Sequence, residues 1–263
     1  KMRIVHNVQN NIYLVKNTMF IDEKNKIGYD RNLLNKIQSR KENYFIDPFY
    51  FARLGLANAM KHYSKSLNGK LLDVGCGTKP YKSLFVVDEY VGLDIASESS
   101  RKRGTADYFY DGNIFPFPAQ EFDAVLCNQV LEHVFNPNEF LREISRVMKP
   151  DAKMVLTVPF IWDEHEQPYD YARYSSFGLK ALLERNGFRV LKQEKLGADV
   201  SILFQLTNAY LYKISEQWNK YIRLIFTLSV MGLVNLTGLV ARYIFPKNPD
   251  LFLDHVVLVE KAT

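Results

Sequence analysis

Three carboxylates and a pair of glycines pose the first chemical question in this sequence. Leu71-Leu72-Asp73-Val74 runs apolar residues into an acid, and Gly75-Cys76-Gly77 follows at once. A buried strand that ends on paired glycines makes a turn in which backbone can approach a ligand closely. Tyr90-Val91-Gly92-Leu93-Asp94-Ile95 is a second apolar run closing on an acid, and Asp94 stands nineteen residues after Gly75. In nucleotide-binding α/β units the acid about twenty residues on accepts hydrogen bonds from ribose hydroxyls. The spacing therefore predicts a site for a ribose-bearing molecule. A nicotinamide dinucleotide is disfavoured. Pro80 stands where a third glycine would let helix and strand pack, and a third acid follows in Asp111-Gly112-Asn113.

Proton-transfer chemistry has separate candidates. His165 lies in a segment crowded with acids and aromatics, Phe160 to Ser175, after a predicted strand at Lys153–Val158. Ligands of open α/β sheets bind at the carboxyl edge of the strands, which is where that segment begins. His165 is the first candidate for a general base. His133, beside Glu132, is the second candidate for the base; its alternative is to fix a helix start by bonding loop backbone. Asp170 and Arg173 complete the group. Arg173 either clamps a carboxylate or phosphate on the acceptor or pairs with Asp170.

The elements that must position these residues alternate. Strands are expected at Lys70–Val74, near Tyr90–Asp94, at Asp107–Tyr110, Phe122–Cys127, Lys153–Val158, Phe188–Lys195 and His255–Glu260. Helices are expected from Asp47-Pro48 to Asn68-Gly69, at Tyr81–Val87, Pro137–Met148 and Ser176–Asn186. The first helix would show Phe51, Leu54, Ala57, Asn58 and His62 on one face. Short alternation of strand and helix argues for a parallel sheet with helices on both faces. Arg3–Val5, Ile12–Val15 and Met19–Ile21 suggest a small β-meander, and Arg31–Lys41 a short helix or linker.

The ordered set Asp73, Asp94, Asp111 and Leu131-Glu132-His133 resembles the class I S-adenosylmethionine-dependent methyltransferases, type 11 in particular, over about Tyr44 to Leu196. Gly75-Cys76-Gly77-Thr78-Lys79-Pro80-Tyr81 is similar to a subgroup found among bacterial cell-surface polysaccharide genes. The resemblance implies a Rossmann-like α/β sheet, mostly parallel, with the last strand antiparallel between strands five and six. It implies S-adenosylmethionine as cofactor. Asp73, Gly75, Cys76 and Gly77 would lie beside its methionine moiety, Asp94 and Ile95 at the ribose, and Asp111, Gly112 and Asn113 at the adenine. Asn128 and Gln129 would lie under the sulfonium. It further implies a small-molecule or glycan acceptor. A lipid-like acceptor and a catalytically silent, cofactor-binding scaffold are the alternatives.

Some relatives hold a divalent cation with two acids three apart and an adjoining histidine. Here the neutral Gln129 replaces the first acid of Gln129-Val130-Leu131-Glu132-His133, so no metal is expected. The absence of cysteine before Cys76 excludes a zinc ribbon in residues 1–43. Two cysteines, Cys76 and Cys127, form no disulfide framework and fit a reducing cytoplasm. No signal peptide opens the sequence. A net charge of +5 permits an acidic substrate or an anionic membrane. No basic run is long enough to argue for nucleic acid, and Arg101-Lys102-Arg103 reads as a solvated loop.

The resulting organisation is an N-terminal extension, 1–43, a catalytic domain of 44–196 plus 254–263, and an apolar helical insert, 197–253. Leu224–Ala241 is eighteen uncharged residues flanked by Arg223 and Arg242, long enough to span a bilayer. Its polar residues, and the need for the last strand to rejoin the sheet, argue instead for a helical cap. That cap would cover the mouth of the site with its apolar face on the catalytic core, pack against another subunit, or lie on the inner membrane surface, the last two giving a homodimer or peripheral membrane contact.

Overall fold

The computed structural model describes residues 19–21, 27–29 and 46–262. Near the N-terminus β1 (Met19–Ile21) pairs antiparallel with β2 (Ile27–Tyr29). The other runs of the expected meander, and Arg31–Lys41, lie outside the described residues. The described chain forms two compact units. One comprises the residues up to Leu54 with Val200–Lys247, and the other Gly55–Asp199 with the segment from Asn248 onward.

The second unit holds a seven-stranded sheet. Its strands are β3 (Lys70–Val74), β4 (Glu89–Ile95), β5 (Tyr108–Tyr110), β6 (Phe122–Asn128), β7 (Met148–Pro159), β8 (Phe188–Leu196) and β9 (Asp254–Lys261). They lie in the order β5-β4-β3-β6-β7-β9-β8. β3 is parallel to β4 and β6, and β9 runs antiparallel between β7 and β8. This is the architecture that the resemblance implies. Successive residues of a strand point to opposite faces, and the central strands are apolar on both. Leu72, Val125 and Val257 join one buried cluster with Leu141, Ile144 and Leu179. Leu71, Ala124 and Val256 join the other with Met60 and Tyr63. The chain leaves β3 toward β4 and β5, then crosses back to β6 and β7. The edge beside the carboxyl ends of β3 and β6 is thus the topological switch point where ligands of such sheets bind.

Several expectations are corrected. Tyr81–Val87 makes only a single 3₁₀ turn, Lys82–Leu84, because the chain from Pro80 to β4 is short. A helix forms instead at α2 (Glu98–Arg103), whose residues include the expected loop Arg101-Lys102-Arg103. Ser97 and Ser100 form a reciprocal capping box, and Gly104 closes the helix in the left-handed region. In α1 (Tyr50–Tyr63) the buried residues are Tyr50, Phe51, Ala52, Ala59, Met60 and Tyr63, while Asn58 and His62 face solvent. The face shifts because the helix start meets the side chain of Gln205, while Ala59, Met60 and Tyr63 pack under the sheet. Lys149-Pro150-Asp151 lies within β7, where the register shifts opposite Phe122–Ala124. The helices α3 (Pro137–Val147) and α4 (Ser176–Arg185) stand as expected.

In the first unit α5 (Ser201–Ile214) packs along a longer helix. The longer one comprises α6 (Lys220–Phe226), a π turn (Thr227–Met231) and α7 (Gly232–Ile244), a run of 25 residues.

Candidate active site

The glycine loop closes on the neighbouring strand. The amides of Gly75 and Cys76 both donate to the carbonyl of Leu93, at 2.8 and 3.0 Å. Gly75 has φ +68°, and a Cβ there would collide with Val130. Gly77 has φ +51°, and no described atom lies within 4 Å of where its Cβ would sit. The first glycine is therefore required by packing, and the second leaves an open cradle. Thr105 donates its hydroxyl to the Gly77 carbonyl, which braces the loop from the far side.

Asp73 is buried under this loop and accepts a hydrogen bond from the Tyr90 hydroxyl at 2.6 Å. Burial pushes its pKa up to about 7; the Tyr90 bond and nearby Lys79 oppose that rise only in part. Cys76 is buried beside it and held as a thiol, its pKa raised to about 12. Asp94, at the end of β4, accepts from the Ile95 amide at 2.9 Å and from Arg103 at 3.1 Å. A carboxylate offers about four lone-pair sites, so acceptor capacity remains for a ribose hydroxyl. Ile95 is exposed, and a Cβ on Gly112 would lie 3.8 Å from its Cδ1. Asp111 is exposed; its Oδ1 accepts the Asn113 amide at 2.9 Å, which lowers its pKa. Behind the loop, Asp107 accepts from Lys79 and from the Gly92 amide, at 2.5 and 2.7 Å.

Across the switch point, Thr157 bridges the two residues that end β6 and follow it. Its hydroxyl donates to Asn128 Oδ1 at 2.8 Å and accepts from the Gln129 amide at 3.2 Å. Gln129 adopts φ +55°. Asp254, the first residue of β9, lies opposite Pro159 at the end of β7. It is buried, and its pKa is raised to about 7 by that burial, with Gln129 hydrogen bonding against the rise.

The predicted acid–base group assembles in the loop after β7. Arg173 grips Asp170 with two hydrogen bonds, of 2.5 and 2.7 Å, and holds its pKa at about 2. Of the two roles open to Arg173, the structure therefore shows the pairing. Asp170 Oδ2 in turn accepts the His165 backbone amide at 3.0 Å and lies 3.3 Å from His165 Nδ1. With Nδ1–H directed at Asp170, or at the Asp163 carbonyl 3.2 Å away, Nε2 is left as the acceptor. A carboxylate held ionised behind an imidazole fixes its tautomer and stabilises the imidazolium.

His133 bonds the Tyr169 carbonyl through Nδ1 at 2.9 Å, the loop-backbone contact of its structural alternative, and its ring lies 4.8 Å from that of His165. Glu132 is fully buried. Neither of its oxygens has a hydrogen-bond partner among the described residues, and desolvation lifts its pKa to about 8. Glu132, His133 and His165 can each turn one donor atom to a common point, those atoms lying within 4.8 Å of one another. The set offers one carboxylate and two imidazoles, and the neutral Gln129 stands where a second acid would favour a hard cation.

Sequence reasoning did not single out Tyr90, Arg103, Thr157 or Asp254. An acid opening the apolar strand Asp254–Glu260 was the one available signal. The other three are ordinary polar residues whose proximity the fold creates.

The methyltransferase domain family matches residues 44–193, more than half of the chain. Among curated proteins, the uncharacterized protein MJ1123 of Methanocaldococcus jannaschii is 28% identical over 48% of this chain and 61% of its own length. The methyltransferase YcgJ of Bacillus subtilis is 27% identical over 38% of this chain and 42% of its own. The chain spans about half the length of the curated relatives it matches. Among solved structures, Haemonchus contortus phosphoethanolamine N-methyltransferase 2 in complex with S-adenosyl-L-methionine superposes with a TM-score of 0.51. It is 15% identical and covers 89% of this chain and 60% of its own. That likeness shows the fold.

Proposed function

The chain belongs to the methyltransferase domain family, and on that footing we propose that it is an S-adenosylmethionine-dependent methyltransferase acting on a sugar or sugar-linked intermediate of a bacterial surface glycan. The observation that carries this reading is a convergence at one sheet edge. The Gly75–Gly77 cradle, Asp73 and Asp94 stand on the β3–β4 side, and the Asp170-backed His165 follows β7. The open side of Gly77 and the spare acceptor capacity of Asp94 fit the cofactor. When bound, S-adenosylmethionine supplies a methyl group activated by a sulfonium. Asp73 would receive its amino group, Asp94 its ribose and the Asp111–Asn113 turn its adenine.

The chain's own groups supply alignment and proton transfer. Displacement at methyl is in-line, so holding donor and acceptor in register provides most of the rate. His165 Nε2 takes the proton of an acceptor hydroxyl, and Asp170 steadies the charge that results. The sugar acceptor is supported by the subgroup wording of Gly75–Tyr81, and a cytoplasmic location goes with it.

The test is transfer of label. The full chain, given methyl-labelled cofactor and extracted envelope-glycan intermediates, should place label in a sugar fraction. Label found only in other small molecules would move the acceptor. Tight cofactor binding with no transfer to any fraction would favour the silent scaffold.

A further inference from the structure

The helices of the first unit are built inside out for a protein bathed in water. Water drives apolar side chains inward, yet along Lys220–Ile244 the exposed stripe is Ile222, Ile225, Val230, Leu233, Leu236 and Val240. Ile225, Leu233 and Val240 are 67, 60 and 53% exposed, whereas Asn235 and, on α5, Asn208 and Gln205 are at 0%. Ile202 and Met231 are buried as well, but most of the buried side is polar or small. Asn208 donates to Asn235 Oδ1 at 2.9 Å and to the Met231 carbonyl at 3.1 Å. Gln205 accepts from the amides of Phe51 and Ala52, and Asn235 donates to the Asp47 carbonyl. Gly238 lets the ring of Phe51 come within 2.8 Å of where a Cβ would stand. Small residues and buried amides are how helices pack when the surrounding medium is itself apolar.

The polar groups on the outer face point the same way. The exposed hydroxyls of Thr207, Ser229 and Thr237 each donate to the carbonyl four residues back, at 2.8, 2.6 and 2.9 Å, so none requires water. Between Glu216 and Asp250 the sequence has no acid, while Lys220 and the exposed Arg242 and Lys247 bracket the apolar stretch. Aromatic residues stand at both ends, with Trp218 and Tyr221 at one and Tyr243 at the other. Basic and aromatic ends around an apolar face match an anionic lipid surface.

We propose that this helical pair is a membrane-seated element, its outer face inserted into one leaflet of an anionic bilayer. The 25-residue helix is about 37 Å long, but α5, at 14 residues, reaches only about 21 Å, short of a hydrocarbon core of roughly 30 Å. Both ends of the segment rejoin one sheet, where Leu196 pairs with Asp254. The pair therefore dips in and returns on one side. The inference is independent of the methyltransferase reading.

Vesicle flotation tests it. The full chain should float with phosphatidylcholine vesicles containing phosphatidylglycerol, more weakly with phosphatidylcholine alone, and stay bound in about 1 M salt, because hydrocarbon burial is not screened. The triple variant Ile225→Gln, Leu233→Gln, Val240→Gln should lose vesicle affinity by roughly tenfold or more while its thermal melt and cofactor binding hold. A second measurement covers the case in which that variant fails to fold. A polarity-sensitive fluorophore on Leu233→Cys should shift to the blue on adding vesicles. Flotation of the folded triple variant like the parent, complete release by salt, or an unshifted fluorophore would overturn the proposal. So would a parent that ignores vesicles and sediments as a dimer; the face would then be a contact between two copies.

Discussion

Asp73→Asn isolates the energetic consequence of an acid buried beneath the glycine loop. In the folded chain its pKa stands at about 7 against an ordinary 3.8, chiefly through desolvation. The folded form holds its proton more tightly than the unfolded form. As pH rises above 3.8 the unfolded chain ionises first, so stability falls, and the fall is complete once pH passes the folded value near 7. At about 1.4 kcal/mol per unit, the whole window is worth on the order of 4 kcal/mol. Asparagine keeps an acceptor for the Tyr90 hydroxyl and removes the titration. The variant should match the parent in urea unfolding at about pH 4 and exceed it increasingly toward about pH 8. Asp254 and Glu132 titrate in the same direction, but they are present in both proteins and cancel in the comparison. The gain in stability should accompany a loss of affinity for S-adenosylmethionine of about 1.5–3 kcal/mol, the worth of a hydrogen bond to a charged group. Parallel stability curves for parent and variant would refute the desolvation argument. Unchanged cofactor affinity would remove Asp73 from the site.

Other outcomes follow from the same geometry. Asp94→Ala should weaken S-adenosylmethionine by about 1–3 kcal/mol in calorimetric titration; saturation of the parent by NAD, with no heat from the sulfur compound, would end the cofactor reading. His165→Ala should lower turnover on a hydroxyl acceptor by roughly 10²–10⁴-fold with cofactor affinity unchanged, and full turnover would pass the role of base to His133. Gly75→Ala should cost about 2–4 kcal/mol of stability through left-handed backbone and collision with Val130. Gly77→Ala, facing open space, should cost about 1 kcal/mol and show its effect in cofactor affinity; equal melting of the two variants would contradict this division. Chelation should leave turnover intact, since the neutral Gln129 replaces the second acid that a hard cation favours. Loss of activity restored by a divalent cation would instead assign that cluster a metal.

The sequence by itself determined the sheet, the glycine loop and the order of acids along it. Those features are local: apolar runs that bury on both faces, turns that need glycine, and an acid at or just past the ends of β3, β4 and β5. It also placed His165 in the loop after β7 and Arg173 near Asp170, because the pair is three residues apart. It misplaced short helices, since Pro80 and the Ser97 cap decide them more than periodicity does. Tertiary structure alone decided the rest. Asp73 titrates near neutrality because of burial, which no spacing reports. Thr157, Asp254 and Tyr90 reach the site through strand pairing between distant segments. In the helical segment the sequence supplied apolar and polar residues in equal view. Only the packing of α5 against Lys220–Ile244 shows that Gln205, Asn208 and Asn235 turn inward and Ile225, Leu233 and Val240 outward.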